Sequence, residues 1–433
     1  MKKLLTPILT ILLFAAFINV GKAQEKTDFS LKEAQDFALL NSTTLKNADI
    51  DLELAKKKVW ETTAIGLPQI NAQANYQHLF TIDTIEFAEG APGIPLGVPN
   101  NSTLDITITQ LVFSGEYLVG LRASKVYFQI TDQAKKLSAI ETRESIANTY
   151  SLVLMLQSNF DVMNQSLVNL NKTLNEMREM NKQGFIEITD VDQIELTTLT
   201  LQNGVNSMER QINAAKQLIK FQMGYPIEKE INLTDKLENM ASEIQLESLV
   251  ANDFKINNNI NFQIMETQVK LGKLNLQREK STVLPSLAAV YRHHRNFDDK
   301  ALDFNPSNLF MLTLNIPIFS SGQRFVKIQQ RKLEFDKAIN NRDNVAQGLQ
   351  LQYINARNEM INAYDSYTNV KRNLELTKRI YDKTLIKFKE GLSSSMDLTQ
   401  AQNQFLSAQS EYINNLNTLL TAKNKLTKLT NQQ

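Results

Sequence analysis

The chain has 433 residues, with 47 Lys+Arg against 46 Asp+Glu and a formal net charge of +1. That balance, with no block of five or six like charges, excludes the basic surface of a nucleic-acid binder and a polyelectrolyte tail. Cysteine is absent, which removes thiol catalysis, Cys-ligated zinc and iron–sulfur centres, disulfides and acylation of an N-terminal Cys.

The 14 Gly and 9 Pro fall below average usage of roughly 7% and 5%, so long elements with few turns are expected. The N-terminus reads Met1-Lys2-Lys3, then an apolar run over residues 4–20, then Gly21-Lys22-Ala23-Gln24. A basic start, an apolar centre and a small residue at the cut form a secretory signal peptide over residues 1–23. A membrane anchor is the alternative for this segment. No later stretch of 18 or more apolar residues follows, so further helical spans are not expected. Strands that cross a bilayer leave a much weaker trace.

The rest of the chain is a duplication with a period of about 207 residues. Leu67-Pro68-Gln69-Ile70-Asn71-Ala72 recurs as Leu284-Pro285-Ser286-Leu287-Ala288-Ala289. Leu111-Val112-Phe113-Ser114-Gly115 recurs as Pro317-Ile318-Phe319-Ser320-Ser321-Gly322, with one inserted Ser. Lys182-Gln183-Gly184 with Asp190-Val191 returns as Lys389-Glu390-Gly391 with Asp397-Leu398. The expected organisation is a first repeat at 24–224, a linker at 225–250 and a second repeat at 251–433.

Each copy opens as helix, passes through two strands and runs into a long helical hairpin. Ser30-Leu31-Lys32-Glu33 has the spacing of a capping box, and the helix it starts is expected to reach about Ala64, before Pro68. Ile70, Ala72, Ala74 and Tyr76 then alternate with Gln69, Asn71, Gln73, Asn75 and Gln77, the period-two pattern of a strand with unlike faces. Strands are expected at about 68–79 and 103–113, joined by a Gly/Pro-rich loop, and at about 285–295 and 308–318. Helical hairpins are expected at about 116–223 and 322–430. Their seam is explicit: Ile146, Val153, Phe160, Leu167 and Leu174 fall seven residues apart, as do Tyr353, Met360, Tyr367, Leu374 and Tyr381. A sustained seven-residue seam supercoils helices against neighbours. The first long helix would extend roughly 100 Å at a rise of about 1.5 Å per residue. An isolated coiled coil would share that seam.

The strands separate these architectures. Segments of nine to eleven residues are long enough to cross the apolar core of a bilayer when tilted. A sheet in lipid must close, because edge N–H and C=O groups cannot be solvated there. Bacterial barrels need about eight strands or more, so several chains must each supply four. A small soluble β-domain capping helical hairpins is the alternative.

Catalysis finds little support. There is no phosphate loop, nucleophile elbow or His-Glu-x-x-His, so no enzyme and no cofactor are expected. His293-His294 are neighbours on a strand and point to opposite faces. The repeat places His293 opposite Tyr76 and His294 on the polar face. Asp298, Asp299 and Asp303 read as a solvated loop rather than a metal site.

The signal peptide, the Ser30-Leu31-x-Glu33-Ala34 opening, the paired strands with Phe-Ser-Gly-like ends and the Gly-x5-Asp tips together resemble the TolC family of outer-membrane efflux proteins. The resemblance covers essentially the whole mature chain. It implies a mainly α fold with a membrane β-barrel: a homotrimer whose twelve strands close in the outer membrane of a Gram-negative bacterium and continue as an α-helical barrel in the periplasm. The linker would lie at mid-barrel, and the long C-terminal additions of some relatives would be missing.

The implied partners are a periplasmic membrane-fusion adaptor and an inner-membrane pump of the resistance-nodulation-division or ABC type, with outer-membrane lipid around the barrel. Gly184, Phe185, Gly391, Leu392, Ser393 and Ser394 would form the tips that dock the adaptor. Asp397, Gln400 and Asp190 would stand at the periplasmic constriction, Gln400 where relatives often carry a second Asp. By position alone, Asp190 reads as a helix cap. Phe388 occupies the aromatic position that clamps the tip in the best-known member, and the turn at 392–394 has no Arg, so a polar clamp is not expected. The implied function is a passive exit duct for efflux or type I secretion. The alternative is a non-channel coiled-coil structural or adhesin protein of the cell surface; a periplasmic adaptor would need lipoyl-like β modules that the sequence lacks.

Overall fold

A computed structural model describes residues 27–85, 94–95, 97–242, 244–251, 254–298 and 305–430. The signal peptide, Asp299 and Asp303 lie outside the described residues. In chain order the elements are β1 (Asp28–Phe29), α1 (Leu31–Asn41), α2 (Thr43–Ala64), β2 (Gln69–His78), β3 (Thr84–Ile85), β4 (Ile94–Pro95), β5 (Asn100–Phe113), α3 (Gly115–Lys182), α4 (Ile188–Met223), β6 (Asn232–Leu233), α5 (Leu237–Ser242), α6 (Leu246–Val250), α7 (Ile260–Ser281), β7 (Ser286–Asn296), β8 (Asn308–Asn315), α8 (Gln323–Lys389) and α9 (Ser395–Thr430). No described helix is long and apolar enough to cross a membrane.

The chain forms two compact units. One takes the described parts of Met1–Ser42, Ser145–Ile244 and Asp365–Thr421; the other takes Thr43–Glu144, Gln245–Tyr364 and Ala422–Gln433. Each unit draws on both sequence copies, so compactness cuts across the duplication.

In the first unit, the N-terminal segment is tied down by backbone and side chain. Ser30 and Glu33 form the reciprocal cap: Ser30 N donates to Glu33 Oε2 at 2.9 Å, and Glu33 N donates to Ser30 Oγ at 3.4 Å. β1 pairs in parallel with β6. Tyr150 is fully buried behind it. Its hydroxyl donates to Phe29 O at 2.9 Å and accepts from Asp235 N at 3.2 Å, while burial pushes the phenol well above its ordinary range. The expected first helix is broken at Ser42, whose ψ of 140° is extended. Beside the break, Gly224 has φ +70° and would place a Cβ 2.4 Å from Asn41 O. The chain crosses at a distance only glycine permits.

The hairpin seam is apolar and closed in the first copy. Leu167, Leu170, Leu174 and Met177 of α3 form one buried cluster with Val191, Ile194, Leu201 and Val205 of α4. In the second copy, Tyr353, Ala356, Met360 and Ala363 are buried, but Tyr367, Leu374 and Tyr381 are only half-buried in the single chain.

The second unit carries the sheet, in the order β2-β5-β7-β8, with all neighbours antiparallel. Register assigns the faces. Ile70, Ala72, Ala74 and Tyr76 lie opposite Ile108, Ile106, Leu104 and Ser102. Ile108 lies opposite Tyr291, which lies opposite Phe310. The other face carries Gln69, Asn71, Gln73 and Asn75 opposite Thr109, Thr107, Asp105 and Thr103. One face is therefore apolar and one polar over most of its width.

Three details depart from the sequence reading. The Gly/Pro-rich loop contains a short antiparallel ladder, Thr84 with Pro95 and Ile85 with Ile94, where β-branched Thr84, Ile85 and Ile94 favour extended backbone. β8 ends at Asn315, before a turn in which Gln323 N donates to Ser320 O at 2.9 Å. Its central residues Ser321 and Gly322 have φ of +47° and +82°, so the inserted serine builds a left-handed turn absent from the first copy. Finally, His293 is the counterpart of His78, not of Tyr76. Tyr76 and His78 both contact Asn100 Oδ1, at 2.9 and 2.7 Å, and Tyr291 and His293 both contact Asn308 Oδ1, at 2.8 and 2.9 Å. His294 lies on the polar face, 2.7 Å from Asp105.

Candidate functional site

The tips are built alike in both copies. α3 is followed by Gly184, where φ is +78°, with Gly184 N donating to Asn181 O and Phe185 N to Met180 O. α8 is followed by Gly391, φ +73°, with Gly391 N donating to Phe388 O and Leu392 N to Lys387 O. Both are Schellman closures, in which a left-handed residue lets the chain reverse while the last carbonyls stay bonded. Open space surrounds both glycines, so backbone conformation alone selects them.

Beyond each glycine an apolar residue points to solvent: Phe185 and Leu392 are each 72% exposed. Ile188 and Met396 stand exposed one turn on. Such side chains are costly on an uncovered surface and mark a contact site when grouped.

The two returning helices start differently. Ser394 caps α9: its Oγ accepts from Asp397 N at 3.1 Å, while Asp397 Oδ2 accepts from Ser394 N at 3.1 Å, Ser394 Oγ at 2.8 Å and Ser393 Oγ at 3.2 Å. Bonds from the Ser394 hydroxyl, the Ser394 amide and then the Ser393 hydroxyl hold the Asp397 carboxyl below its usual range. Asp397 is solvent-exposed, as is Gln400 one turn later.

At α4, Glu187 precedes the helix without a side-chain cap bond. Asp190 does not cap it either, which corrects the sequence reading. Its carboxylate accepts from the hydroxyl of Ser395, at the start of α9. It still lies in the first turn of α4, where negative charge is favoured. Ser395 is buried, as are Leu398, Thr399 and Gln402 after it. Phe388 packs against the α3–α4 apolar cluster, which explains why the position tolerates a ring without a hydroxyl. The structure thus brings Asp190, Ser395 and Phe388 together at the paired tips, with Asp397, Phe185 and Leu392 facing outward.

Ser395 was missed in the sequence. The signal was present: Ser394-x-x-Asp397 has the same spacing as Ser30-x-x-Glu33, and applying that rule places the helix start at Ser395. Among the described residues, no group of three or more His, Asp or Glu is placed to hold a metal ion.

A family model of outer membrane efflux proteins matches residues 255–432. Comparison with curated protein sequences finds no match. Solved structures match along most of the chain. CusC, whose crystal structures address folding and transmembrane channel formation, aligns with a TM-score of 0.77 at 13% identity, over 93% of this chain and 92% of that one. The outer membrane protein VceC of Vibrio cholerae aligns at 0.73 and 13% identity, covering 92% and 95%. The CmeC outer membrane channel of Campylobacter jejuni aligns at 0.74 and 16% identity, covering 92% and 85%. Residues 255–432 thus resemble the outer membrane efflux protein family, and the chain shares the fold of these solved structures.

Proposed function

We propose that this protein is the outer-membrane exit duct of a tripartite efflux or type I secretion system, a passive channel that reaches into the periplasm. The observation that carries this reading is the four-stranded sheet with one apolar and one polar face and two open edges, β2 and β8. Lipid requires those edges to be paired, and four strands are too few to close. Three chains supply twelve strands, apolar face outward, with the polar face lining a water-filled lumen. Exposed large apolar side chains on the helices, among them Leu54, Trp60, Leu333 and Leu351, support the same assembly, because neighbouring copies would cover them.

The division into repeats at 24–224 and 251–433 with a linker at 225–250 corresponds, in this reading, to two quasi-equivalent barrel segments and a mid-barrel collar. In this reading the tips carry the docking function. Phe185, Leu392 and their neighbours Gly184, Gly391, Ser393 and Ser394 dock a periplasmic adaptor and, through it, an inner-membrane pump. Asp397, Gln400 and Asp190 form the constriction. The conduit performs no chemistry on its cargo. The alternative of a non-channel coiled-coil or adhesin protein is not favoured, because a surface coiled coil has no use for a two-faced sheet.

Membrane fractionation tests the proposal. The protein floats with outer membranes, resists urea extraction and, in mild detergent, has about three times the mature mass. A urea-soluble protein, or a monodisperse monomer with full secondary structure, would reject it.

A further inference from the structure

The apolar face of the sheet carries one formal charge among its described residues. Arg295 lies directly opposite Leu104, which lies opposite Ala74, so its side chain shares their face. The side chain is exposed, with its guanidinium carbon 5.1 Å from the centre of the Phe297 ring. Among the described residues, no carboxylate pairs with it. The remaining titratable groups on this face are His78 and His293, each bonded to an asparagine and accompanied by a tyrosine. Nearer the helices this face carries Ile70, Ile108, Tyr291, Phe310, Leu312 and Leu314, with Gln110 opposite Ala289.

If this face meets lipid, as the proposed channel requires, the charge fixes its depth. An arginine on the lipid face is strongly unfavourable at the bilayer midplane and tolerated near an interface. Arg295 is the next-to-last residue of β7, at the sheet end opposite the helices. Tyr76 lies one row beyond this level, where interfacial aromatics stand. Arg295 therefore stands at the headgroups of the outer leaflet. β7 is an inner strand of the sheet, so strand pairing at β2 and β8 does not cover it. A planar, permanently charged guanidinium with free N–H groups matches a phosphate.

We propose that Arg295 and the adjoining Tyr291–Asn308–His293 cluster bind a phosphate-bearing lipid headgroup of the outer leaflet, once per chain. The inference rests on the channel reading, and the experiment separates the two. The full mature chain is placed in phosphatidylcholine nanodiscs containing a trace of bisphosphorylated lipid A, and retained lipid is counted by native mass spectrometry. Wild type should retain lipid A about fivefold better than Arg295→Gln, the effect of one cation at an anionic surface. Arg295→Lys should keep most of that retention, and dephosphorylated lipid A should show no difference between variants. Equal retention by wild type and Arg295→Gln, in protein that inserts and conducts normally, overturns this proposal alone. So does equal preference for the dephosphorylated lipid, because the contact would then be apolar. Protein that never enters the nanodisc overturns the channel reading and this inference with it.

Discussion

The hydroxyl of Ser395 donates to the carboxylate of Asp190, joining the first turn of α9 to the first turn of α4. The two residues are 205 positions apart and occupy unequal places in the two sequence copies. The bond therefore belongs to the pairing of the tips and not to either tip alone. A partly buried bond to a charged acceptor contributes roughly 1.5–3 kcal/mol. Ser395→Ala and Asp190→Asn should both loosen the tips, seen as faster hydrogen exchange in residues 184–195 and 391–402. Exchange unchanged in both variants would mean that the Phe388 packing alone holds the tips together.

Asp397 should respond to acid in a defined direction. Its folded pKa lies below the unfolded value of about 3.9, so its stabilising contribution is complete above that value and is lost as pH falls through the depressed folded pKa. Ser394→Ala removes the hydroxyl that is the largest cause, so the Asp397 carboxyl should titrate closer to its ordinary value. Carboxyl NMR titration of the two proteins measures this. If Asp397 converges at the constriction, Asp397→Asn should also lower cation selectivity more than Asp190→Asn, whose carboxylate is engaged by Ser395.

Three of the left-handed glycines, Gly184, Gly224 and Gly391, should not be equivalent. Gly224→Ala meets both positive φ and the Asn41 backbone at 2.4 Å, and should cost several times the ~1 kcal/mol expected from backbone strain. Gly184→Ala and Gly391→Ala have open space and should each cost only about that 1 kcal/mol. Thermal unfolding ranks them, and Gly224→Ala no worse than Gly391→Ala would contradict the close crossing seen at Asn41.

The seams of the two copies should also differ. Leu167→Asp places an unpaired charge in a closed apolar cluster and should cost about 3 kcal/mol or more within one chain. Leu374→Asp strikes a half-buried position, so its effect should appear mainly in assembly. Comparing unfolding midpoints with detergent-solubilised mass separates the two effects.

These contrasts also show what the sequence made legible. The strand alternation at residues 69–78, the cap at Ser30 and the two tip glycines are local signals, set by period or backbone conformation, and could be read directly. The break at Ser42 depends on Gly224, far along the chain, and no local pattern records it. Duplication aligned His293 with Tyr76 because the motif at Leu67 and Leu284 sets an offset of 217, whereas the tyrosines and histidines that bond Asn100 and Asn308 stand 215 apart. Repeat arithmetic does not see such a slip. Asp190 sits in the right turn for a cap, and only the tertiary position of Ser395 redirects it.

The most direct test of the account is electrical. Purified protein added to a planar bilayer should give discrete single-channel steps, with cation selectivity that falls in Asp397→Asn. Protein that associates with the bilayer as trimers yet never produces steps would contradict the exit-duct account.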